Sequence, residues 1–247
     1  MWNRKKLKDN NEMGFFDHLE ELRWRIVRSL IGVVIGGIVC WIFIDPIINI
    51  LIKPALDYKL RLQNIRPFGQ VFLYMQVAII GGVILSFPNI LYQIWKFIAP
   101  GLYPKERKYI VRIVFFTSFC FFCGIAFAYF VMMPMALSFF ASFGTQQIEN
   151  IIAINEYISF IVSVIIGAGV VFELPMVSWF LSKLGLLKPA FMRKFRRHAI
   201  VVIFILAAIL TPGTDPVSQV ILAIPLLFLY EISIWISKIA QKKEEKV

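Results

Sequence analysis

The chain has 247 residues, of which 59% are hydrophobic and 17% charged, and 24 of them are phenylalanine. Soluble domains carry roughly 45–50% apolar and about 25% charged residues, so a soluble globular protein is excluded. Disorder is excluded because a disordered chain needs low hydrophobicity. The formal net charge is +11, and in a membrane protein such an excess of lysine and arginine marks the cytoplasmic loops. The composition predicts a polytopic membrane protein.

Apolar runs that could cross a bilayer recur along the chain, since a transmembrane helix needs roughly 20 such residues. A shorter run, 199–210, has basic residues before it and a turn after it, which favours a span over a re-entrant segment. We therefore predict an all-α fold of six transmembrane helices in a single domain over residues 1–247. The predicted spans are 26–44, 71–94, 110–134, 158–181, 199–211 and 217–236.

The basic residues indicate how these spans are oriented. Of the 26 Lys and Arg residues, 22 fall on the side that holds both termini, and four lie in the loop 45–70 on the other side. Short loops rich in Lys and Arg stay in the cytoplasm. Both termini are therefore predicted to be cytoplasmic, with 1–25 as an N-terminal segment and 238–247 as a tail.

No pattern in the sequence indicates a catalytic or metal site. The cysteines Cys40, Cys120 and Cys123 lie in apolar runs and are interpreted as packing residues. Gly32 and Gly36 are interpreted as residues that permit close helix approach. No H-E-x-x-H, G-x-S-x-G or P-loop pattern occurs. We expect no metal, no cofactor and no enzymatic activity.

Two acidic residues are candidates for ligand binding on the predicted cytoplasmic side. Glu21 precedes Arg25 by four residues, a spacing that favours a helical ion pair. Glu106 is the only acid in the loop 93–108, near a predicted apolar shelf of Trp95, Phe97 and Tyr103. One carboxylate can accept two hydrogen bonds from a guanidinium, so the two acids together could bind a ligand with two arginines. The alternatives are a solvated helix face for Glu21 and local salt bridging for Glu106.

Two further acids, Glu173 and Glu231, lie inside predicted spans. Intramembrane acids mark proton relays, so one alternative function is a proton-coupled secondary transporter. The lack of an internal repeat disfavours it, and an intramembrane enzyme is disfavoured by the missing nucleophile–base pair. Around Glu173, the neighbouring Gly169 and Pro175 indicate a polar notch that receives a polar group from a partner's helix. The alternative is an internal hydrogen bond that fixes helix packing.

Several motifs, in chain order, resemble the TatC family, the receptor subunit of the twin-arginine protein translocase. FDHLEELRWR at 16–25 resembles the family's N-terminal motif, and 86–107 its first cytoplasmic loop. FELP at 172–175 resembles its fourth span, and 211–219 with 223–231 its last two spans. The resemblance covers nearly the whole chain. It implies a cupped, glove-like bundle of six helices that serves as a non-enzymatic receptor and scaffold.

The resemblance also implies a function and partners. It implies binding of twin-arginine signal peptides at the cytoplasmic face, and transport of folded proteins across the membrane driven by the proton-motive force. The implied partners are TatA- and TatB-type single-span subunits, further copies of the chain within a receptor complex, and membrane lipids, with no nucleic acid. The implied location is the cell membrane of a bacterium, with an organellar membrane as the alternative.

By the same resemblance, particular residues acquire expected roles. Thr211 and Gln219 are expected to dock partner subunits, and Glu173 is expected to be the intramembrane polar site. Pro54 and Phe68 carry over from the first outer loop, although IRPFG at 65–69 lacks the acid that many relatives have there. The residues expected to bind the signal peptide are Glu21, Arg23, Phe97, Pro100, Leu102, Tyr103, Glu106 and Arg107.

The predicted topology can be tested with reporter fusions. Fusions after residues 103, 188 and 245 should report the cytoplasm, and those after residues 60, 147 and 214 the outside, because of the distribution of basic residues. A tail that reports the outside would mean that 199–210 does not cross the membrane, and the six-span prediction would be wrong.

Overall fold

A computed structural model describes residues 15–99, 110–142, 151–210 and 216–244. Nearly all of them are helical, which confirms the predicted all-helical class. The elements in chain order are α1 (Phe15–Ile42), α2 (Ile44–Asp57), β1 (Arg61–Gln63), α3 (Gly69–Ile98), α4 (Ile110–Phe127), a π-helical turn (Ala128–Met132), α5 (Met133–Ser142), β2 (Ile151–Ala153), α6 (Ile154–Val171), α7 (Leu174–Lys183), α8 (Pro189–Lys194), α9 (Arg196–Leu210) and α10 (Pro216–Glu244).

Helices long and apolar enough to cross a membrane dominate the described part of the chain, which confirms the polytopic class. By contrast, α9 has 15 residues, and at a rise of 1.5 Å per residue it is about 22 Å long. A bilayer core is about 30 Å thick. The crossing of α9, the six-span count and the cytoplasmic termini therefore stay predictions. The five long segments are His18–Ile42, Gly69–Ile98, Ile110–Ser142, Ile154–Lys183 and Leu222–Gln241.

The third long helix continues past Pro134, where the sequence predicted its end. Pro134 has no N–H to give to the carbonyl of Phe130, and its ring crowds that carbonyl. A π-helical turn over Ala128–Met132 lies directly before this point. Such turns insert an extra residue into a helix without ending it, and α5 then runs on to Ser142.

The predicted span 158–181 consists of two helices that meet at Phe172 and Glu173. Pro175 lies in the first turn of α7, where its missing N–H breaks no hydrogen bond. The N–H of Glu173 donates to the carbonyl of Val170 at 3.1 Å, which tightens the end of α6. Glu173 therefore lies at a helix junction, where a polar side chain is common.

Glycines allow α1 and α3 to touch through their backbones. A Cβ atom added at Gly82 would lie 2.6 Å from the carbonyl oxygen of Val33 and from the amide nitrogen of Gly37. One added at Gly36 would lie 2.8 Å from the carbonyl oxygen of Gly82, and one at Gly32 2.6 Å from a side-chain atom of α3. The interpretation of Gly32 and Gly36 as close-approach residues is confirmed.

Buried serines lie between α7 and α10. Ser182 and Ser237 are fully buried, and their hydroxyls hydrogen-bond to each other. The hydroxyl of Ser233 donates to the carbonyl of Leu229 at 2.8 Å. Small side chains at this contact let the two helices approach closely, and their polar atoms still find partners.

Strands β1 and β2 form a short parallel pair that the sequence analysis did not predict. Arg61 lies opposite Ile151, and Gln63 opposite Ala153. Segments of three residues are too short for an alternating pattern to be recognised in the sequence. The pair ties the connection between α2 and α3 to the segment that enters α6.

Two tyrosines repair the hydrogen bonds that Pro54 interrupts inside α2. Pro54 has no N–H for the carbonyl of Ile50, and the hydroxyl of Tyr129 donates to that carbonyl instead, at 2.8 Å. One residue further on, the hydroxyl of Tyr157 donates to the carbonyl of Leu51 at 3.0 Å and accepts from the N–H of Ala55 at 3.1 Å. Tyr157 thus takes the place of one helical hydrogen bond.

This arrangement predicts the effect of removing the hydroxyl. Tyr157→Phe leaves a buried N–H and a carbonyl without their partner, which should destabilise the protein by about 1–3 kcal/mol. Thermal unfolding of the purified protein in detergent measures the effect. Tyr74→Phe is the control, because the hydroxyl of Tyr74 accepts from the exposed side-chain amide of Gln70 and from no buried backbone group among the described residues. Equal melting temperatures for the two variants would contradict the proposed repair.

Candidate functional site

Glu21 and Arg25 form a partly buried ion pair on α1, so the spacing-based prediction of this pair is confirmed. Arg25 donates to Oε1 of Glu21 from Nε at 3.1 Å and also from Nη2. The side chain of Glu21 is 22% exposed and that of Arg25 is 9% exposed. Oε2 of Glu21 and Nη1 of Arg25 are both buried and have no hydrogen-bond partner among the described residues. Glu21 is therefore not a solvated surface residue.

A cavity of about 440 Å³ opens beside this pair. It lies between the N-terminal part of α1 and the last turn of α3, where Lys96 contributes to the cavity wall. Trp24 contributes an apolar wall and is 51% exposed. The cavity therefore combines carboxylates, cations and one aromatic face, as a site for a charged peptide requires. Its lining residues are Glu20, Glu21, Trp24, Arg25, Arg28 and Lys96.

Arg23 and Phe97 lie near this cavity without lining it. Arg23 pairs with Glu20 at 3.3 Å, and both side chains are more than 60% exposed. Its guanidinium also lies 5.6 Å from the centre of the Trp24 ring. Phe97 stacks on His18, with ring centres 4.3 Å apart. That stack connects the end of α3 to the start of α1.

The predicted apolar shelf is only partly correct, because Trp95 belongs to the core. Its residue is 8% exposed, and its ring packs edge-on against Phe180 with centroids 4.3 Å apart. Ile113 and Val114 of α4 pack against it as well. Lying two residues before Phe97 on α3, Trp95 points to the opposite side of the helix.

Several predicted site residues lie outside the described residues. They are Pro100, Leu102, Tyr103, Glu106, Arg107 and Thr211.

Glu173 has a buried carboxylate oxygen, Oε1, with no hydrogen-bond partner among the described residues. The alternative of an internal hydrogen bond is not supported for this atom. However, Gly169 leaves no open space for the predicted notch. A Cβ atom there would lie 2.6 Å from the ring of Phe121, which fills the position and is itself 1% exposed.

The remaining predicted residues have structural contacts. Gln219 donates to the carbonyl of Phe204 at 2.7 Å and so connects α10 to α9. Glu231 accepts from Arg196 at 2.6 Å, and both side chains are about half exposed. Glu231 is the second acid that the transporter alternative requires, and it is already paired with Arg196.

The two residues carried over from the first outer loop differ in exposure. Pro54 is buried inside α2, next to the carbonyls that accept hydrogen bonds from Tyr129 and Tyr157. Phe68 is 72% exposed and directly precedes α3.

Sequence reasoning missed four contributors to the cavity wall, which are Glu20, Trp24, Arg28 and Lys96. Trp24 and Arg28 lie three and seven residues after Glu21, a helical spacing that could have indicated a shared face. Lys96 had no such signal, because it reaches the cavity only through the packing of α3 against α1.

Comparison with known proteins gives one consistent result. A family model described as Sec-independent protein translocase protein (TatC) matches residues 17–225. The Sec-independent protein translocase protein TatC of Carboxydothermus hydrogenoformans is 43% identical over 236 residues, which cover 96% of this chain and 97% of that protein. The chloroplastic TATC protein of Pisum sativum is 38% identical, over 95% of this chain and 66% of that protein.

A solved structure is also similar. The crystal structure of the twin arginine translocase receptor TatC matches with a TM-score of 0.83 and 36% sequence identity. The match covers 90% of this chain and 99% of that chain. None of these relatives supports the proton-coupled transporter alternative.

Proposed function

This chain belongs to the TatC family of Sec-independent protein translocase proteins, and we propose that it binds twin-arginine signal peptides at the cytoplasmic face of the membrane. It acts there as a non-enzymatic receptor and scaffold. With TatA- and TatB-type single-span subunits, it transports folded proteins using the proton-motive force.

The carboxylate of Glu21 in the cavity wall is the observation that carries this proposal. It is a largely buried acid that already accepts hydrogen bonds from a guanidinium, that of Arg25, and this supports the proposal that it can accept them from a ligand arginine. Trp24 supplies an apolar and aromatic surface beside it, suited to the flanking residues of a peptide. Glu106 completes the site as a second carboxylate for the second arginine.

The proposed peptide surface includes further residues. Phe97 offers a ring at the end of α3, and Arg23 is exposed on α1. The remaining members of the peptide surface are Pro100, Leu102, Tyr103 and Arg107.

Neutralising both acids tests the proposal. In the double variant Glu21→Gln and Glu106→Gln, binding of a twin-arginine peptide should weaken at least about tenfold, because hydrogen bonds to charged groups contribute roughly 1.5–3 kcal/mol each. A twin-lysine peptide should lose less, since lysine cannot pair in the two-point manner of arginine. Fluorescence anisotropy with labelled peptides and purified protein measures both affinities.

The matched control is Glu20→Gln. Glu20 lies next to Glu21 on α1 but is exposed and paired with Arg23, so its loss should change affinity little. If the double variant binds the twin-arginine peptide as tightly as the parent and still prefers it over the twin-lysine peptide, the assigned site is wrong.

Partner subunits are proposed to dock at two places. At the junction of α6 and α7, Oε1 of Glu173 is buried and has no hydrogen-bond partner within the described part of the chain, which supports a contact with a polar group from a partner's membrane helix. Thr211 and Gln219 are the second proposed docking point, at the outer ends of the predicted fifth and sixth spans. Further copies of the chain and membrane lipids complete the receptor complex in the cell membrane.

Glu173→Ala should still insert and bind signal peptide, but lose partner crosslinks and most export activity. The reason is that Oε1 of Glu173 has no hydrogen-bond partner among the described residues, so the substitution breaks no hydrogen bond of that oxygen there. Glu231→Ala is the control, because Glu231 is an acid of a membrane helix that is already paired, with Arg196. Peptide binding, partner crosslinking and export in membrane vesicles are measured in parallel. Unchanged crosslinks and unchanged export for Glu173→Ala would contradict this role.

A further inference from the structure

Four cations lie where α8 meets α9. Arg193 and Lys194 belong to the last turn of α8, and Arg196 and Arg197 begin α9. All four residues are exposed. The sequence contains no aspartate or glutamate from position 174 to position 214. No acid close by in the chain therefore neutralises these charges.

Arg196 differs from the other three because it has an acidic partner. It donates to Oε2 of Glu231 at 2.6 Å. Arg193, Lys194 and Arg197 have no ion pair with any residue that the structure describes. These three residues, the basic cluster, therefore present positive charge to a ligand from outside the described part of the chain.

Helix α10 fixes the backbone on which the basic cluster stands. The hydroxyl of Tyr230 donates to the carbonyl of Met192 at 2.9 Å, and the next residue, Glu231, accepts from Arg196. Met192 is itself buried. Two adjacent residues of α10 thus hold the end of α8 and the beginning of α9. Cations on a backbone held in this way lose less conformational freedom when they bind a ligand.

Two exposed aromatic rings lie beside the basic cluster. Phe191 is 55% exposed and Phe195 is 36% exposed, and their ring centroids are 4.4 Å apart. Directly after the cations, α9 exposes the apolar residues Val201, Val202 and Ile205. Aromatic and basic residues at the end of an apolar helix are typical of the membrane–water interface. The basic cluster therefore lies where the apolar part of the bilayer meets its headgroups.

We propose that the basic cluster binds the phosphate groups of anionic phospholipids. Its three cations supply the charge complementarity, and the rings of Phe191 and Phe195 contact the adjoining acyl chains. The distribution of basic residues predicts that this surface faces the cytoplasm, where anionic lipids attract polybasic segments. The surface shares no residue with the cavity beside Glu21, so lipid binding here is independent of signal-peptide binding.

The test titrates the full-length protein in detergent with phosphatidylglycerol and counts bound lipids by native mass spectrometry. In the triple variant Arg193→Gln, Lys194→Gln and Arg197→Gln, phosphatidylglycerol should bind at least about tenfold more weakly than in the parent, because each basic residue near the headgroups adds to the attraction. Phosphatidylcholine has no net charge and should bind the parent and the variant equally. A parent that does not prefer phosphatidylglycerol over phosphatidylcholine would overturn the proposal.

The matched control is the triple variant Lys53→Gln, Lys59→Gln and Arg66→Gln. These cations are also exposed, and their removal changes the net charge by the same amount, but they lie in the predicted outer loop. This control should keep the affinity of the parent for its most tightly bound phosphatidylglycerol. Equal losses in both triple variants would indicate attraction by net charge alone and would overturn the proposal.

Two other kinds of ligand are separated by further measurements. Inorganic phosphate at the concentration of the lipid should not displace phosphatidylglycerol, because it has no acyl chain to contact the rings. Displacement would assign the basic cluster to a free anion and overturn the proposal. Parent-like lipid binding by the variant that lacks the basic cluster would also overturn it, and would favour an acidic protein segment as the ligand.

Single variants cover the case in which the triple variant does not fold. Arg193→Gln and Arg197→Gln should each weaken the binding of phosphatidylglycerol by about three- to fivefold. Parent-like affinity in both single variants would overturn the proposal.

Discussion

A proline inside a helix has no N–H for the carbonyl four residues before it, so that carbonyl needs another hydrogen-bond partner. The fold meets this requirement in different ways at three of its prolines. At Pro54 it brings tyrosine hydroxyls from two other helices. At Pro134 it inserts a π-helical turn, and at Pro175 it begins a new helix. The paths of α2, of the third long helix and of the junction that holds Glu173 depend on these three local arrangements.

The proposed peptide site depends on a second constraint, which is the close contact between α1 and α3. Where Gly36 and Gly82 meet, the two backbones touch, and the helices extend from that point toward the cavity. Glu21 on one helix and Lys96 on the other therefore line the same space. A bulky residue at either glycine would separate them, so the recognition site relies on residues about fifteen positions away along the helices.

The helical class and the ion pair of Glu21 with Arg25 could be predicted because both depend on local spacing. Contacts between distant segments could not be predicted in this way. Trp95 looked like part of an exposed shelf but packs on α4 and α7, and the space beside Gly169 is filled by Phe121 from another helix. In an apolar sequence, membrane-facing and buried aromatic residues have the same hydropathy, so only the packing distinguishes them.

The hydroxyl of Tyr157 also constrains the order in which the protein can assemble. Its partner in α2, the N–H of Ala55, lies 102 residues earlier in the chain. During synthesis, α2 is complete long before Tyr157 leaves the ribosome. Until then, the N–H of Ala55 lacks its hydrogen bond to the hydroxyl of Tyr157. Contacts over such a sequence separation form late and slow the folding of a chain. The hydrogen bonds that Tyr157 makes to Leu51 and Ala55 of α2 therefore form only after α6 has been synthesised.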